Sequence, residues 1–136
     1  MQLNYVSFVV ADMQSSLNFY RTLGLPIPEG AHLNASGELE GHVEVNTHGL
    51  RIAWESEELT RQLFPDWVPP SGAGRVAVAF GTGSAAEVDA VCKRMENAGF
   101  TIGTTPYDAP WGQRYATLND PDGTPIDVFA WLPGQG

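Results

Sequence analysis

Two short strand-like runs, Arg114 to Leu118 and Ile126 to Trp131, flank Asn119-Asp120-Pro121-Asp122-Gly123. A fainter copy of this arrangement, His42 to Glu55 around Asn46-Thr47-His48-Gly49, lies earlier in the chain. Asn and Asp hydrogen-bond their own backbone, Pro presets φ, and Gly accepts positive φ, so each copy reads as a β-hairpin. Superposing Gly49 on Gly123 sets Ile52 on Ile126 and Ala53 on Asp127. A repeat at a period of about 70 residues is a duplicated module, not a solenoid.

The remainder of each half matches too. Asn4 to Val10 is a β-branched and aromatic run, followed by the helix-like Met13 to Leu23, whose Leu17, Tyr20 and Leu23 fall at helical spacing. Asp12 supplies its N-cap and Gly24 its C′ residue. In the second half Arg75 to Phe80 is the expected strand, and the expected helix runs from Ala85 to Ala98, with the capping box Ser84-Ala85-Ala86-Glu87 at its start and Gly99 at its end. Val88, Val91, Cys92 and Met95 stripe one face of it. Each half therefore runs β-α-β-β-β, and the chain is an α+β protein. The third strand of the first half is the least marked, because residues 28–41 are Gly-rich and polar.

With 136 residues and 43% hydrophobic content, the chain suits one domain of two small modules, 1–66 and 72–132, joined by a Pro-rich connector. No apolar run approaches the roughly 18 residues of a membrane helix, and the N-terminus lacks a secretory pattern, so a cytoplasmic location is expected. The single cysteine, Cys92, excludes an internal disulfide and a cysteine metal cage, and its stripe position reads as a small buried hydrophobe. A formal charge of −9, from 16 acidic against 7 basic residues, argues against nucleic acid or an anionic membrane as partner. It is compatible with a cationic ligand.

The duplicated βαβββ pattern, the opening Tyr5 to Leu25 and the closing Asp120-Pro121-Asp122-Gly123-Thr124-Pro125-Ile126-Asp127 resemble the vicinal oxygen chelate superfamily. That group contains glyoxalase I, extradiol dioxygenases, fosfomycin-resistance enzymes and bleomycin-resistance proteins. The resemblance covers about residues 2–132 and implies two modules forming a curved mixed sheet around a central cavity. It does not fix an activity, since one fold carries many functions.

The resemblance also implies four metal-ligand positions: a His opening the first strand, a Glu closing the first half, a His opening the second half, and a Glu seven places after the first Asp of the Asp-Pro-Asp-Gly turn. Here those positions hold Tyr5, Ala53, Arg75 and Asp127. A divalent metal of this kind wants neutral imidazole or carboxylate at about 2.0–2.2 Å. Alanine offers no ligand atom, arginine carries a fixed positive charge, and neutral tyrosine is a poor ligand. No metal and no cofactor are expected. His48 lies in a turn and should be solvated, while His32 and His42 read as surface residues or as the mouth of a pocket. A register error of two would put Glu55 at the Ala53 position.

If the family geometry holds, Arg75 and Asp127 share a cavity as an ion pair or as anchors for a ligand's polar group. Tyr5, Ser7 and Phe129 line it, and Trp67 and Trp111, two of four tryptophans, sit at its rim in Gly/Pro-rich segments. Trp54 should point away from the Ala53 face into the core. Such a cavity suits a flat, partly polar, aromatic or cationic molecule. The expected function is metal-free ligand binding in a homodimer, closest in type to the bleomycin-resistance proteins. Two alternatives stay open: an enzyme with a rearranged metal site or with Asp127 as acid/base, and a structural dimer with a vestigial pocket.

Overall fold

The computed structural model describes residues 1–71 and 76–136. The fold is α+β, with three helices and two small sheets. The chain divides into two compact units, Met1–Ser71 and Gly72–Gly136.

In the first unit, β1 (Tyr5–Val10) leads into α1 (Met13–Leu23), then β2 (His42–Thr47), β3 (Leu50–Ser56) and α2 (Glu57–Leu63). The sheet order is β1-β3-β2, with β1 parallel and β2 antiparallel to β3. Parallel partners need a crossover, and α1 begins it. Asp12 Oδ1 accepts the Ser15 N–H at 2.7 Å at one end of α1. Gly24, at φ 127°, closes the other end through its own N–H to Tyr20 O and Arg21 O. Side chains alternate along strands. Val10, Ile52 and Trp54 are buried on the helix side, where the Trp54 ring lies 5.2 Å from Tyr20 and 6.4 Å from Phe8. Trp54 is core, as the alternation requires. The two-residue turn His48-Gly49, at φ 50° and 82°, has the positive dihedrals of a type I′ hairpin.

This unit departs from the expected pattern twice. Residues 28–41 form no strand beyond the single bridge Leu33–Leu39. Asn34 Oδ1 instead accepts the N–H groups of Ser36 and Glu38, and the side chain of Arg21 donates to Ile27 O and Pro28 O at 2.9 and 2.7 Å. Turn chemistry has outcompeted ladder pairing there. The second departure is α2. Ser56 ends β3 and caps this helix, accepting the Leu59 N–H at 3.1 Å, while Glu57 and Glu58 sit at its positive end.

The second unit carries the full βαβββ order: β4 (Val78–Gly81), α3 (Ala85–Asn97), β5 (Ile102–Ala109), β6 (Gln113–Asn119) and β7 (Pro125–Trp131). The strand order is β4-β7-β6-β5, with β4 parallel to β7 and the other pairs antiparallel. β4 starts later than the expected strand. Val76 and Ala77 precede it, and Arg75 lies outside the described residues. The capping box is modified: Ser84 Oγ accepts the Glu87 N–H at 3.3 Å, but the Glu87 carboxylate receives Gly83 N–H at 2.8 Å instead of that of the cap. In the β6–β7 turn, Asp120 Oδ1 accepts the N–H groups of Asp122 and Thr124 at 2.9 and 2.8 Å. Val88, Cys92 and Met95 pack with Ala116, Leu118, Ile126, Val128 and Ala130 in the buried layer between α3 and the sheet. Cys92 is 5% exposed, and burial pushes its thiol pKa up, away from reactivity.

Trp54 carries the largest fully buried side chain. Trp54→Ala should destabilise the protein by about 3–5 kcal/mol, read from urea unfolding followed by circular dichroism. A loss below about 1 kcal/mol would show that the Phe8–Tyr20–Trp54 stack is not a principal support of the first unit.

Candidate functional site

The alternation that buries one side of each sheet leaves the other open. On β7 the open side carries Asp127, Phe129 and Trp131, between the buried Ile126, Val128 and Ala130. The β6 partners of those open residues are Thr117, Tyr115 and Gln113, and the β4 partners of Asp127 and Phe129 are Ala79 and Gly81. The Phe129 ring lies over Gly81, where an added Cβ would meet Phe129 Cζ at 3.5 Å.

Asp127 sits at the centre of a hydroxyl pair. Tyr115 Oη donates to its Oδ2 at 2.5 Å and Thr117 Oγ1 to its Oδ1 at 3.1 Å. Burial, with Asp127 accepting its proton, pushes the Tyr115 pKa up to about 12, so the phenol stays neutral. Beyond Tyr115 stand two more rings. Trp111 meets Tyr115 edge-on at 5.4 Å, and Tyr107 meets both Trp111 and Tyr115 at 6.4 Å. Register shifts along β5 bring Tyr107 opposite Tyr115. Trp111 is 52% exposed and Tyr107 38%, which presents aromatic surface to solvent beside a carboxylate.

The Trp111 turn is held from two sides. Trp111 Nε1 donates to Gln113 Oε1 at 2.8 Å, and the Leu132 N–H donates to Gly112 O at 3.0 Å. Gly112 has φ 92°, a left-handed conformation that favours glycine, and an added Cβ would also have to push the Gln135 side chain aside, its Oε1 lying 2.9 Å away. Arg114 points the other way, bonding Asp89 of α3 at 2.9 Å and Asp108 at 3.1 Å.

In the first unit Tyr5, Ser7, Ala53 and Glu55 share the open side of the sheet with His42, Glu44 and Arg51. Tyr5 is on β1 and His42 on β2, so their edge contact at 6.2 Å crosses β3. Ser7 Oγ is buried without a hydrogen-bond partner. His42 faces Glu55 through Nδ1 at 3.3 Å and Glu44 through Nε2 at 3.1 Å. Arg51 forks onto Glu44 at 2.6 Å, which with His42 holds that carboxyl below its usual range, and also stacks over Tyr5 at 5.6 Å.

The residues present do not fit the superfamily's metal. Ala53 brings no donor, Tyr5 is occupied by Arg51, and Asp127 by two hydroxyls. Glu55 is on the Ala53 face, but His42 and Glu44 around it engage one another. Among the described residues no group of three or more His, Cys, Asp or Glu is arranged to hold a metal ion. The ladders also refine the repeat. Val6 pairs with Ile52 and Val78 with Ile126, so the counterpart of Tyr5 is Ala77, two residues after Arg75.

Of the residues singled out from sequence, Asp127, Phe129 and Trp111 lie in the second unit and Tyr5 and Ser7 on the open side of the first. Trp67 lies after α2, where the Arg61 guanidinium covers one face of its ring at 5.6 Å. Arg75 is outside the described residues. His48 is exposed in its turn. Sequence reasoning missed Tyr107, Tyr115 and Thr117. The hairpin register read outward from Gly123 would have placed Tyr115 and Thr117 beside Asp127.

A family model described as the Glyoxalase/Bleomycin resistance protein/Dioxygenase superfamily matches residues 2–128. The chain belongs to that superfamily. Solved structures share its fold. A hypothetical protein of S. aureus superposes with TM-score 0.76 at 19% identity, covering 96% of this chain and 94% of that one. A glyoxalase/bleomycin resistance protein/dioxygenase from Nocardioides gives 0.73 at 25%, covering 98% and 85%. A lactoylglutathione lyase from Agrobacterium tumefaciens gives 0.65 at 21%, covering 95% and 92%. No curated protein matches in sequence. No helix among the described residues is long and apolar enough to cross a membrane.

The Tyr115–Asp127 bond has a pH signature. The folded-state pKa of Tyr115 is raised from 10.0 to about 12. Its contribution to stability is therefore complete below the unfolded value of about 10 and is lost as pH rises through the folded value. Across that alkaline window Tyr115→Phe should lose less stability than the parent protein in denaturant titrations. Equal slopes would refute the assignment.

Proposed function

We propose that this superfamily member is a metal-free binding protein that retains an aromatic, antibiotic-like small molecule, in the manner of the bleomycin-resistance type. The observation carrying this reading is the open side of the second unit, where half-exposed Trp111 and Tyr107 stand against Tyr115, whose hydroxyl bonds Asp127. Aromatic faces left to solvent in a fixed T-shaped group stack readily on a planar ligand. Trp111, Phe129 and Asp127 are its contacts, with Tyr5, Ser7, Trp67 and Arg75 assigned the same role by resemblance. The ligand carries aromatic or cationic character, as the acidic chain favours. The protein works in the cytoplasm as a C₂ homodimer, the commonest symmetric assembly.

One observation favours a second reading. A carboxylate receiving a phenolic proton is a pair able to shuttle a proton, so Asp127 and Tyr115 would suit a metal-free isomerase or lyase. Retention and turnover separate the two readings.

Titration with bleomycin- and mitomycin-class natural products should quench tryptophan fluorescence, and Trp111→Ala should weaken the best ligand roughly 3- to 30-fold. An affinity indifferent to Trp111→Ala would overturn the site, and chemical conversion of the ligand would favour the enzyme. Elemental analysis should find less than about one tenth of an equivalent of Zn, Ni, Mn or Fe. Stoichiometric metal surviving dialysis would overturn the binding-protein reading.

A further inference from the structure

A donor-and-acceptor count around Asp127 restricts what the ligand can present to it. A tyrosine or threonine hydroxyl has one O–H to give. Tyr115 and Thr117 both give theirs to Asp127, one to each carboxylate oxygen. What remains at this spot is acceptor capacity alone: the free lone pairs of the carboxylate and of the two hydroxyl oxygens. A carbonyl, carboxylate or phosphate brought here would place acceptor against acceptor. A group rich in N–H would find four oxygens to bond, the two of Asp127 and the two hydroxyls.

The charge count runs the same way. The described residues of the second unit include three basic side chains, Lys93, Arg94 and Arg114. Lys93 and Arg94 are on α3, which packs on the opposite face of the sheet, and Lys93 pairs with Glu96 at 3.2 Å. Arg114 is turned to that same opposite face by its bonds to Asp89 and Asp108. Among the described residues, therefore, the half-buried Asp127 carboxylate has no cation beside it. Tyr115 adds no charge, since it keeps its proton up to about pH 12. A half-buried carboxylate satisfied by neutral hydroxyls alone keeps its net negative charge uncompensated by any cation. Next to it stand the Tyr115 and Phe129 rings, whose faces attract a cation.

We propose that Asp127, Tyr115 and Thr117 form a receptor for a protonated nitrogen, an ammonium or amidinium group, on a ligand whose aromatic part stacks against Trp111 and Tyr107. This inference rests on the binding reading above and names the polar group that the ligand must carry. The protonated nitrogen gives N–H to the Asp127 oxygens and to the lone pairs of the two hydroxyls. The aromatic part extends along β6 from Tyr115 toward the Trp111 turn.

Three matched probes test it: 2-naphthylmethylamine, cationic at neutral pH, 2-naphthylmethanol, neutral, and 2-naphthoate, anionic. Each is titrated into the whole protein while the indole N–H resonance of Trp111, assigned through Trp111→Phe, is followed by NMR. The amine should bind about 10-fold or more tightly than the alcohol, with the naphthoate weakest. Asp127→Asn should bring the amine down to the alcohol's affinity, while Tyr115→Phe, which leaves the carboxylate charged, should keep the order. If the alcohol or naphthoate binds as tightly as the amine, or if the preference survives Asp127→Asn, the ammonium receptor is overturned while the stacking reading stands. If none of the three moves the Trp111 resonance, the stacking reading falls and this inference falls with it.

Discussion

Each unit depends on a parallel pairing between its first strand and its last strand or hairpin arm, β1 with β3 and β4 with β7. A parallel pair cannot be closed by a tight turn, so a helix must cross over one face of the sheet. That choice decides the rest. Once α3 covers one side of β7, Ile126, Val128 and Ala130 are committed to the core, and Asp127 and Phe129 are committed to the open side. A polar site therefore arises from the same alternation that buries the core, with no separate structural device.

The two open sides solve the problem of half-buried charge differently. On the open side of the first unit both acids, Glu44 and Glu55, have a basic or imidazole neighbour. Arg51 bridges Glu44, Asn4 and Tyr5, and His42 lies between Glu44 and Glu55. Such a network is self-contained, and its exposed members contribute little to stability individually. In the second unit Asp127 is held by neutral hydroxyls instead. Hydrogen bonds satisfy its geometry but leave its charge for something outside the described residues. The contrast is why the proposed cation receptor is placed on the second face.

The elements legible in the sequence were those fixed by local chemistry. Asp12, Ser84, Gly24 and Gly99 bounded two helices; the Asn119 to Gly123 turn set the register that puts Asp127 on the side of β7 away from α3, and the Asn46 to Gly49 turn set the one that puts Trp54 in the core. Residues 28–41 were less so, because a composition of Gly, Asn and Glu permits both a poor strand and a sequence of turns, and the anchoring Arg21 side chain comes from another element. The helix at Glu57–Leu63 was missed although Ser56 and two glutamates announce it, since Ser56 also belongs to a strand. Tyr107 was not readable at all. Its place beside Trp111 depends on irregularities in β5, and a single added residue in a strand reverses every later side chain.

The loss of a metal site need not unmake the fold around it. A metal ligand contributes one side chain per strand, whereas each strand is held by its ladder and its buried alternate residues. Ala53 illustrates this: it brings no donor atom, yet it pairs with Ser7 on one side and Glu44 on the other, and its neighbours Ile52 and Trp54 are buried. Removing a ligand also removes the cation that neutralised its neighbours, so any carboxylate left behind needs new partners or a lower charge. Asp127 found Tyr115 and Thr117, both directly reachable across the β6–β7 ladder. Because those partners are neutral, they leave the carboxylate's charge uncompensated, and with both oxygens already accepting hydroxyl protons they do not offer the ligand set that a divalent ion demands. On the proposed binding reading, a carboxylate held by neutral hydroxyls favours a cationic organic ligand, and the surrounding rings would set which cation fits.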